Sequence, residues 1–454
     1  MQNLIALAIA IFAGLMLSRV AKLLKLPAVT AYLVAGILIG PYVLGQLGVE
    51  GLGFVSSENV ESFSIISKVA LGFIAFSIGN EFRVAQLKKI GKQATVIGIV
   101  QALITAALVD AALIGLHFAM PDVLSLSAAI TLGAIATATA PAATLMVVKQ
   151  YKAKGPLTSI LLPVVALDDA VGLVVFAISF GVAKALVPGG HVSAISILVE
   201  PLLEVILSLA LGAAVGFIFT FFEKFFHSRS KRLSMSVAFI LLTVGLSMME
   251  FHIPVAEESI HVRFSSLLTC MMLGTIFCNI CDFSEELMDR VDRWVAPILV
   301  LFFVISGAEL ELSVFTSLAV VVVGLAYIAS RSVGKYTGAL LSAKATKCDP
   351  TIVKYLGITL LPQAGVALGM ALTVGNTKGF EADADIVRNI TLFAVLIYEL
   401  IGPMLTKISL LRAGEIRPDG RSSAREAARI VKQRHLQMEA EHAKHEKEEA
   451  AKLK

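Results

Sequence analysis

The chain has 454 residues, of which 57% are hydrophobic and 16% are charged, and its mean hydropathy is +0.84. A soluble globular domain is seldom so rich in hydrophobic residues and so poor in charged ones. The formal net charge of +4 is not informative by itself, because the positions of the charges along the chain matter more than their sum. Apolar runs of about 18 residues or more recur along the chain, each long enough to cross the membrane as a helix. Barrel strands would instead show alternation over about ten residues, so the sequence predicts an all-α polytopic membrane protein.

The apolar runs predict thirteen transmembrane spans. Their limits are 3–21, 27–45, 62–80, 94–117, 124–148, 157–186, 196–222, 234–250, 263–281, 292–310, 313–342, 351–376 and 385–411. The first run has no basic segment before it, so we interpret it as a retained span and not as a cleaved signal peptide. Every second loop is rich in lysine and arginine, which predicts an external N-terminus and a cytoplasmic C-terminus. Residues 412–454 are dense in charge and predict a cytoplasmic tail.

Two of these spans contain helix-breaking residues near their middle. The fifth reads ATATAPAATL, with Pro141, and the twelfth reads LLPQAGVALG, with Pro362 and Gly365. Proline removes a backbone hydrogen bond and clashes with the preceding turn, so each helix is expected to break there. If spans 2–6 and 9–13 are two repeats, both breaks fall on the fourth helix, and the repeats insert with opposite orientation, as in secondary transporters. Ordinary kinked helices are the alternative interpretation.

Two aspartates, Asp168 and Asp169, lie side by side in the apolar run LLPVVALDDAVGLVVFAIS. A charged residue at mid-membrane costs about 2.5–3.5 kcal/mol on the insertion scale, so such residues usually have a function. Neighbours on a helix point about 100° apart, so one carboxylate can face a basic side chain and the other a cavity. A carboxylate that binds either H+ or a hard cation makes the two ions compete for one site. A salt-bridged pair that only holds helices together is the structural alternative.

Basic partners for the aspartates are available on the eleventh span. Arg331 and Lys335 lie four residues apart there, and therefore on one helix face. Lys335 is the predicted charge partner, and Arg331 is the alternative. Glu399, on the thirteenth span, is another embedded acid and a candidate for a structural ion pair with Arg331.

Seven segments, in the same order along the chain, resemble the monovalent cation/proton antiporter superfamily, in the branch of bacterial sodium/proton antiporters with a double-aspartate motif. They cover nearly the whole hydrophobic part. They are KLPAVTAYLVAGILIGPYVLG at 25–45, LGFIAFSIGNEF at 71–82, ATATAPAATL at 136–145, LDDAVGLVVFAIS at 167–179, VGKYTGALLSAK at 333–344, LPQAGVALGMAL at 361–372 and YELIGPMLTKISLLRAGE at 398–415.

This resemblance implies roles for particular residues. Asp169 looks like the carboxylate that binds cation or proton, and Asp168 looks like the one that pairs with Lys335. Thr137 and Thr139 in the first break, together with Gln363 in the second, are expected to line the site. A double aspartate is similar to the electrogenic subgroup, so electrogenic exchange is expected.

The resemblance also implies a fold and a setting. The expected fold is that of the sodium/proton antiporters, with two inverted five-helix repeats and broken crossing helices. The transmembrane domain is expected over 1–411, with core spans at 94–186 and 313–411, scaffold spans at 3–80 and 234–310, and a linking span at 196–222. A homodimer in the bacterial inner membrane is expected, in contact with lipid. No cofactor, nucleic acid or metal beyond the transported monovalent cation is expected.

The predicted function is therefore secondary active exchange of Na+, K+ or Li+ for H+ by alternating access, and no enzymatic activity is expected. One alternative is a sodium-coupled organic solute symporter of a related fold, which would need a roomier polar pocket. A second alternative is an intramembrane aspartyl protease, which needs two aspartates on two facing helices, whereas this pair is adjacent on one. No motif in the sequence indicates which of the three cations is carried.

Overall fold

Helices make up almost all of the chain that the computed structural model describes, namely residues 2–24, 26–48, 53–80, 82–186, 194–249, 251–255, 258–262, 264–281, 283–310, 317–375 and 380–416. The helices are α1 (Gln2–Leu23), α2 (Ala28–Ile39), α3 (Ser57–Glu61), α4 (Ser64–Asn80), α5 (Val84–Ala119), α6 (Leu126–Ile135), α7 (Pro141–Tyr151), α8 (Pro156–Leu186), α9 (Ala194–Glu223), α10 (Arg229–Ser247), α11 (Ser266–Ile280), α12 (Ser284–Glu309), α13 (Leu318–Ala345), α14 (Pro350–Thr359), α15 (Gly365–Gly375) and α16 (Glu381–Arg412). A short 3-10 helix spans Leu44–Leu47. Strands β1 (Phe251–Val255) and β2 (Glu258–Val262) form one antiparallel hairpin. The predicted helical fold class is confirmed, with this hairpin as the one addition among the described residues.

Nine helices of the described chain are long and apolar enough to cross a membrane. Shorter apolar helices, including Ser64–Asn80 and Ser266–Ile280, lie between them in the chain. Each of the thirteen predicted spans contains helix. The count of thirteen crossings nevertheless stays a prediction, because several of these helices are too short to span a bilayer by length alone.

Two predicted spans are interrupted by non-helical backbone. The first helix pair breaks between Ile135, where α6 ends, and Pro141, where α7 begins. The second breaks between Thr359, where α14 ends, and Gly365, where α15 begins. Proline is favoured at the first position of a helix because its missing N–H would have no partner within the helix, so Pro141 begins a new helix instead of bending a continuous one. The predicted broken helices are confirmed.

Helices α5 and α13 pack with their backbones in close contact. A Cβ atom on Gly334 would lie 2.8 Å from Thr105 Cα, and a Cβ atom on Gly338 would lie 2.8 Å from Gln101 Cα. Small residues four positions apart allow two helix backbones to approach in this way. The contact brings Gln101 of α5 and Lys335 of α13 to the same point in the bundle.

Buried apolar side chains form clusters on different sets of helices. One cluster joins α5, α6, α8, α13, α15 and α16, with Leu132 and Phe393 among its members. A second cluster joins α1, α2 and α12. A third joins α4, α9, α10, α11 and α12. A further cluster lies between these sets and contains Leu33 of α2, Leu145 of α7 and Leu162 of α8. The aspartate-bearing helix α8 therefore packs at the boundary between two groups of helices.

The packed body continues beyond the predicted boundary at residue 411. Glu415 is 6% exposed, and its carboxylate accepts hydrogen bonds from the amides of Leu157 at 2.6 Å and Thr158 at 2.8 Å. These amides belong to the first turn of α8, where N–H groups have no partner within the helix. The side chain of Ile416 is also buried. Most of the predicted tail, residues 417–454, lies outside the described residues.

Candidate ion-binding site

The paired aspartates lie in the middle of α8, beside both broken helices. Asp168 is 0% exposed and Asp169 is 2% exposed. The amide of Ala140, in the first break, donates to the carbonyl of Pro362, in the second, at 2.8 Å. The two breaks therefore touch each other, and the non-helical backbone is buried in protein, as the bilayer requires.

Asp168 is fully partnered. Lys335 Nζ lies 2.9 Å from Asp168 Oδ2, and Thr139 Oγ1 donates to the same oxygen at 2.6 Å. Gln101 Nε2 donates to the other oxygen, Oδ1. Lys335, itself 0% exposed, also donates to the carbonyl of Thr137 at 2.7 Å. A buried ion pair is tolerated when further hydrogen bonds satisfy its remaining atoms, and that condition holds here.

Asp169, unlike Asp168, receives no hydrogen bond from the described residues. Its two carboxylate oxygens are buried, and neither has a hydrogen-bond partner among the described residues. Buried polar groups in native proteins are normally hydrogen-bonded, so such an exception calls for an explanation. Unpartnered carboxylate oxygens are suitable ligands for a proton or for a hard cation.

Arg331 binds the backbone of both breaks. Its guanidinium is fully buried and donates to the carbonyls of Ala136 at 2.9 Å, Ala138 at 2.7 Å and Leu361 at 2.7 Å. Carbonyl groups at the C-terminal end of a helix have no partner within it and carry partial negative charge. Arg331 therefore satisfies the ends of α6 and α14 together.

The three predicted lining residues have different contacts. Thr139 reaches Asp168 through its hydroxyl, whereas Thr137 contributes its carbonyl to Lys335. Gln363 is fully buried, but its Nε2 donates to the carbonyl of Ile135 at 3.0 Å and to the hydroxyl of Tyr327 at 2.9 Å. Gln363 therefore stabilises the break and makes no hydrogen bond to the aspartates.

Glu399 and Arg331 do not form the predicted ion pair in the structure. The guanidinium of Arg331 is engaged by the carbonyl groups of the breaks, and it lies over the ring of Tyr398, 4.5 Å from its centroid. Glu399 is 5% exposed, and its Oε2 has no hydrogen-bond partner in the described chain. Successive residues of α16 point in different directions, so Tyr398 and not Glu399 meets Arg331. Arg331 also makes no ion pair with Asp168, which binds Lys335 instead.

Sequence reasoning missed Gln101 and Tyr327. Gln101 is an amide inside the apolar run IGIVQALITAALV, and such a residue in a membrane span is a usable signal for a buried polar contact. Its partner Asp168 lies 67 positions away on another helix, so the sequence does not identify the contact.

Known proteins are similar to this chain in sequence and in fold. The chain is similar to the K(+)/H(+) antiporter subunit KhtU of Bacillus subtilis (strain 168), at 24% identity over 396 residues, which is 86% of this chain and 90% of that protein. Its fold is similar to the sodium proton antiporter MjNhaP1 of Methanocaldococcus jannaschii at pH 8, with a TM-score of 0.62, 20% identity, and coverage of 91% of this chain and 99% of the other. An electron-microscopy structure of the same antiporter matches with a TM-score of 0.67, 18% identity, and coverage of 91% and 98%. These likenesses show the antiporter fold.

The family described as transmembrane sodium/hydrogen exchangers matches residues 7–411. That range contains both aspartates, both broken helices and Lys335. The family is one of transporters, so it supports cation/proton exchange and gives no support to the organic solute symporter. The chain is therefore a multi-pass membrane protein that belongs to the transmembrane sodium/hydrogen exchanger family of cation/proton antiporters.

Proposed function

We propose that this protein exchanges Na+, K+ or Li+ for H+ by alternating access, with Asp169 as the group that binds both. The observation that carries the proposal is the contrast between Asp169, buried with two unpartnered oxygens, and Asp168, whose oxygens are all occupied. Because proton and cation need the same carboxylate, one must leave before the other binds. Competition for a single site couples the two fluxes.

Asp168 and Lys335 hold the site together in this proposal. Their ion pair joins α8 to α13, and Thr139 joins it to the first break. The double aspartate resembles that of the electrogenic subgroup, so in this proposal each cycle moves net charge and the transport rate depends on membrane potential.

The moving unit is the core of spans 94–186 and 313–411, and the scaffold of spans 3–80 and 234–310 forms the homodimer, with 196–222 between them. The separate apolar clusters on these two sets of helices support this division. In this proposal the protein lies in the bacterial inner membrane. The basic loops, and with them the C-terminus, face the cytoplasm. The names of the relatives leave Na+ and K+ both open, since one is a K(+)/H(+) antiporter subunit and the other a sodium proton antiporter.

Exchange in liposomes tests the proposal. Purified protein is reconstituted with a pH-sensitive dye, and Na+, K+, Li+ or choline is added with and without an imposed membrane potential. At least one metal cation, but not choline, is expected to change the internal pH. Asp169→Asn should abolish this signal, whereas Asp122→Asn, at an exposed acid in a loop, should retain it. Undiminished exchange by Asp169→Asn would show that the shared site lies elsewhere.

A further inference from the structure

A cavity lies outside the aspartate site. Its volume is about 800 Å³, and its lining includes residues at the end of α4, on α7, in the first turns of α8 and in the first turns of α12. The proposed orientation places this cavity on the cytoplasmic side. Polar and charged side chains line much of it, among them Asn80, Lys149 and Asp292.

Lys149 of α7 is held in this cavity by oxygen atoms from two other helices. Its Nζ lies 2.6 Å from Asp292 Oδ1 and 2.7 Å from Asp292 Oδ2, both on α12. It also donates to the hydroxyl of Ser77 on α4. A single positive charge is thus surrounded by a carboxylate and a hydroxyl, and both belong to the proposed scaffold.

Asn80 adds an oxygen that has no partner. Ser77 and Asn80 are three residues apart on α4 and so lie on the same helix face. Asn80 is 7% exposed and lines the cavity, and its Oδ1 has no hydrogen-bond partner within the described part of the chain. A buried amide oxygen without a partner is unusual in a native protein, and it leaves an oxygen ligand free at the wall of this cavity.

We propose that Ser77, Asn80 and Asp292 form a second binding site for a monovalent cation, in which the Lys149 ammonium acts as a tethered competitor. A carboxylate, a hydroxyl and an amide oxygen are ligands that hard cations prefer, and one carboxylate balances one positive charge. The site lies on α4 and α12, whereas Lys149 lies on α7, so a bound cation releases the contact between scaffold and core. The choice of cation rests on the proposed function, because the ion is one that the antiporter carries.

Equilibrium binding of radioactive sodium or rubidium tests the site. Purified full-length protein carries Asp169→Asn throughout, so that the exchange site does not contribute. Adding Lys149→Met should raise affinity by about tenfold or more, because a tethered group competes at an effective concentration in the millimolar range. The stoichiometry should approach one ion per chain, and a further Asp292→Asn or Asn80→Leu should remove the binding. Lys152→Met, at an exposed lysine nearby, is the matched control and should change nothing.

Two results would overturn the site: no saturable binding by a Lys149→Met protein that unfolds at the same temperature as its parent, or binding that survives Asp292→Asn. A measurement on the wild-type chain avoids any folding defect. Acetylation of Lys149, followed by mass spectrometry, should be faster in sodium or potassium chloride than in choline chloride of equal strength, while Lys152 reacts equally in all three. Equal rates of Lys149 acetylation in the three salts would refute the site. Failure of exchange by the wild type in liposomes would instead refute the proposed function.

Discussion

Asp168 and Asp169 are chemically identical neighbours on α8, and their surroundings differ because successive helical residues point about 100° apart. Asp168 faces α5, α13 and the first break, from which Gln101, Lys335 and Thr139 donate hydrogen bonds. Asp169 receives none from the described residues. The same chemical change at the two positions is therefore expected to have different consequences.

Replacing each aspartate with asparagine tests this difference through stability. Asp168→Asn leaves the buried Lys335 ammonium without a counter-charge, and breaking a buried pair in this way costs about 3–5 kcal/mol. Asp169→Asn removes an unpartnered buried carboxylate, so we expect unchanged or higher stability. The measurement is the unfolding transition of the two purified variants beside the wild type. An equal loss in both would contradict the assignment of partners.

At the scale of elements, the two broken helices depend on α13. Each break leaves backbone carbonyl groups in the middle of the bundle, without partners in their own helices. Arg331 and Lys335, one turn apart on α13, donate to these groups. Arginine presents several donors in a planar fork, which suits three carbonyls, whereas the lysine ammonium is a compact charge that suits a carboxylate.

The close packing of α5 on α13 is tested by adding one methyl group. Gly338→Ala would place a Cβ atom 2.8 Å from Gln101 Cα, so the helices must separate and Gln101 must move away from Asp168. Overpacking of this kind costs about 1–3 kcal/mol, and slower cation/proton exchange is expected with it. The matched control is Gly115→Ala on α5, where nothing lies within 4 Å of the added atom. That variant should gain up to about 1 kcal/mol from higher helix propensity. Equal effects of the two changes would exclude close packing as the reason for Gly338.

At the scale of the whole molecule, one contact links the end of the last helix to the helix that carries the aspartates. The carboxylate of Glu415, just beyond α16, occupies the N-terminal end of α8. The Thr158 hydroxyl donates to the same carboxylate at 2.5 Å. The first and second halves of the chain are thus joined at the base of α8 as well as at its middle.

Two truncations test this link. A chain that ends after Ile416 keeps the cap and should unfold at the same temperature as the full chain. A chain that ends after Gly414 loses it, and the exposed α8 amides and hydroxyl should lower stability by about 1–3 kcal/mol. Full-length Glu415→Ala should reproduce most of that loss. Identical melting of both truncated chains would show that the cap contributes nothing.

Local properties of the sequence were sufficient for the broad outline. Apolar runs predict helices because every backbone N–H and C=O group in lipid needs a hydrogen-bond partner, and a helix supplies these partners within one segment. The breaks at Pro141 and Pro362 follow from the missing amide of proline and from its clash with the preceding turn. The pair at 168 and 169 indicates a functional site because a charge in the middle of a membrane span is costly whatever the surrounding fold.

Contacts between distant parts of the chain needed the tertiary structure. The prediction of a Glu399–Arg331 ion pair was wrong, because the carbonyls of the breaks, up to 195 positions away, bind the guanidinium instead. Gln101 meets Asp168 only because two glycines let α5 approach α13. The sequence alone thus determined that this is a helical membrane protein with two embedded acids and two broken helices. Only the tertiary structure decided which aspartate is hydrogen-bonded and which has no partner among the described residues, because that depends on how helices far apart in the chain pack around α8.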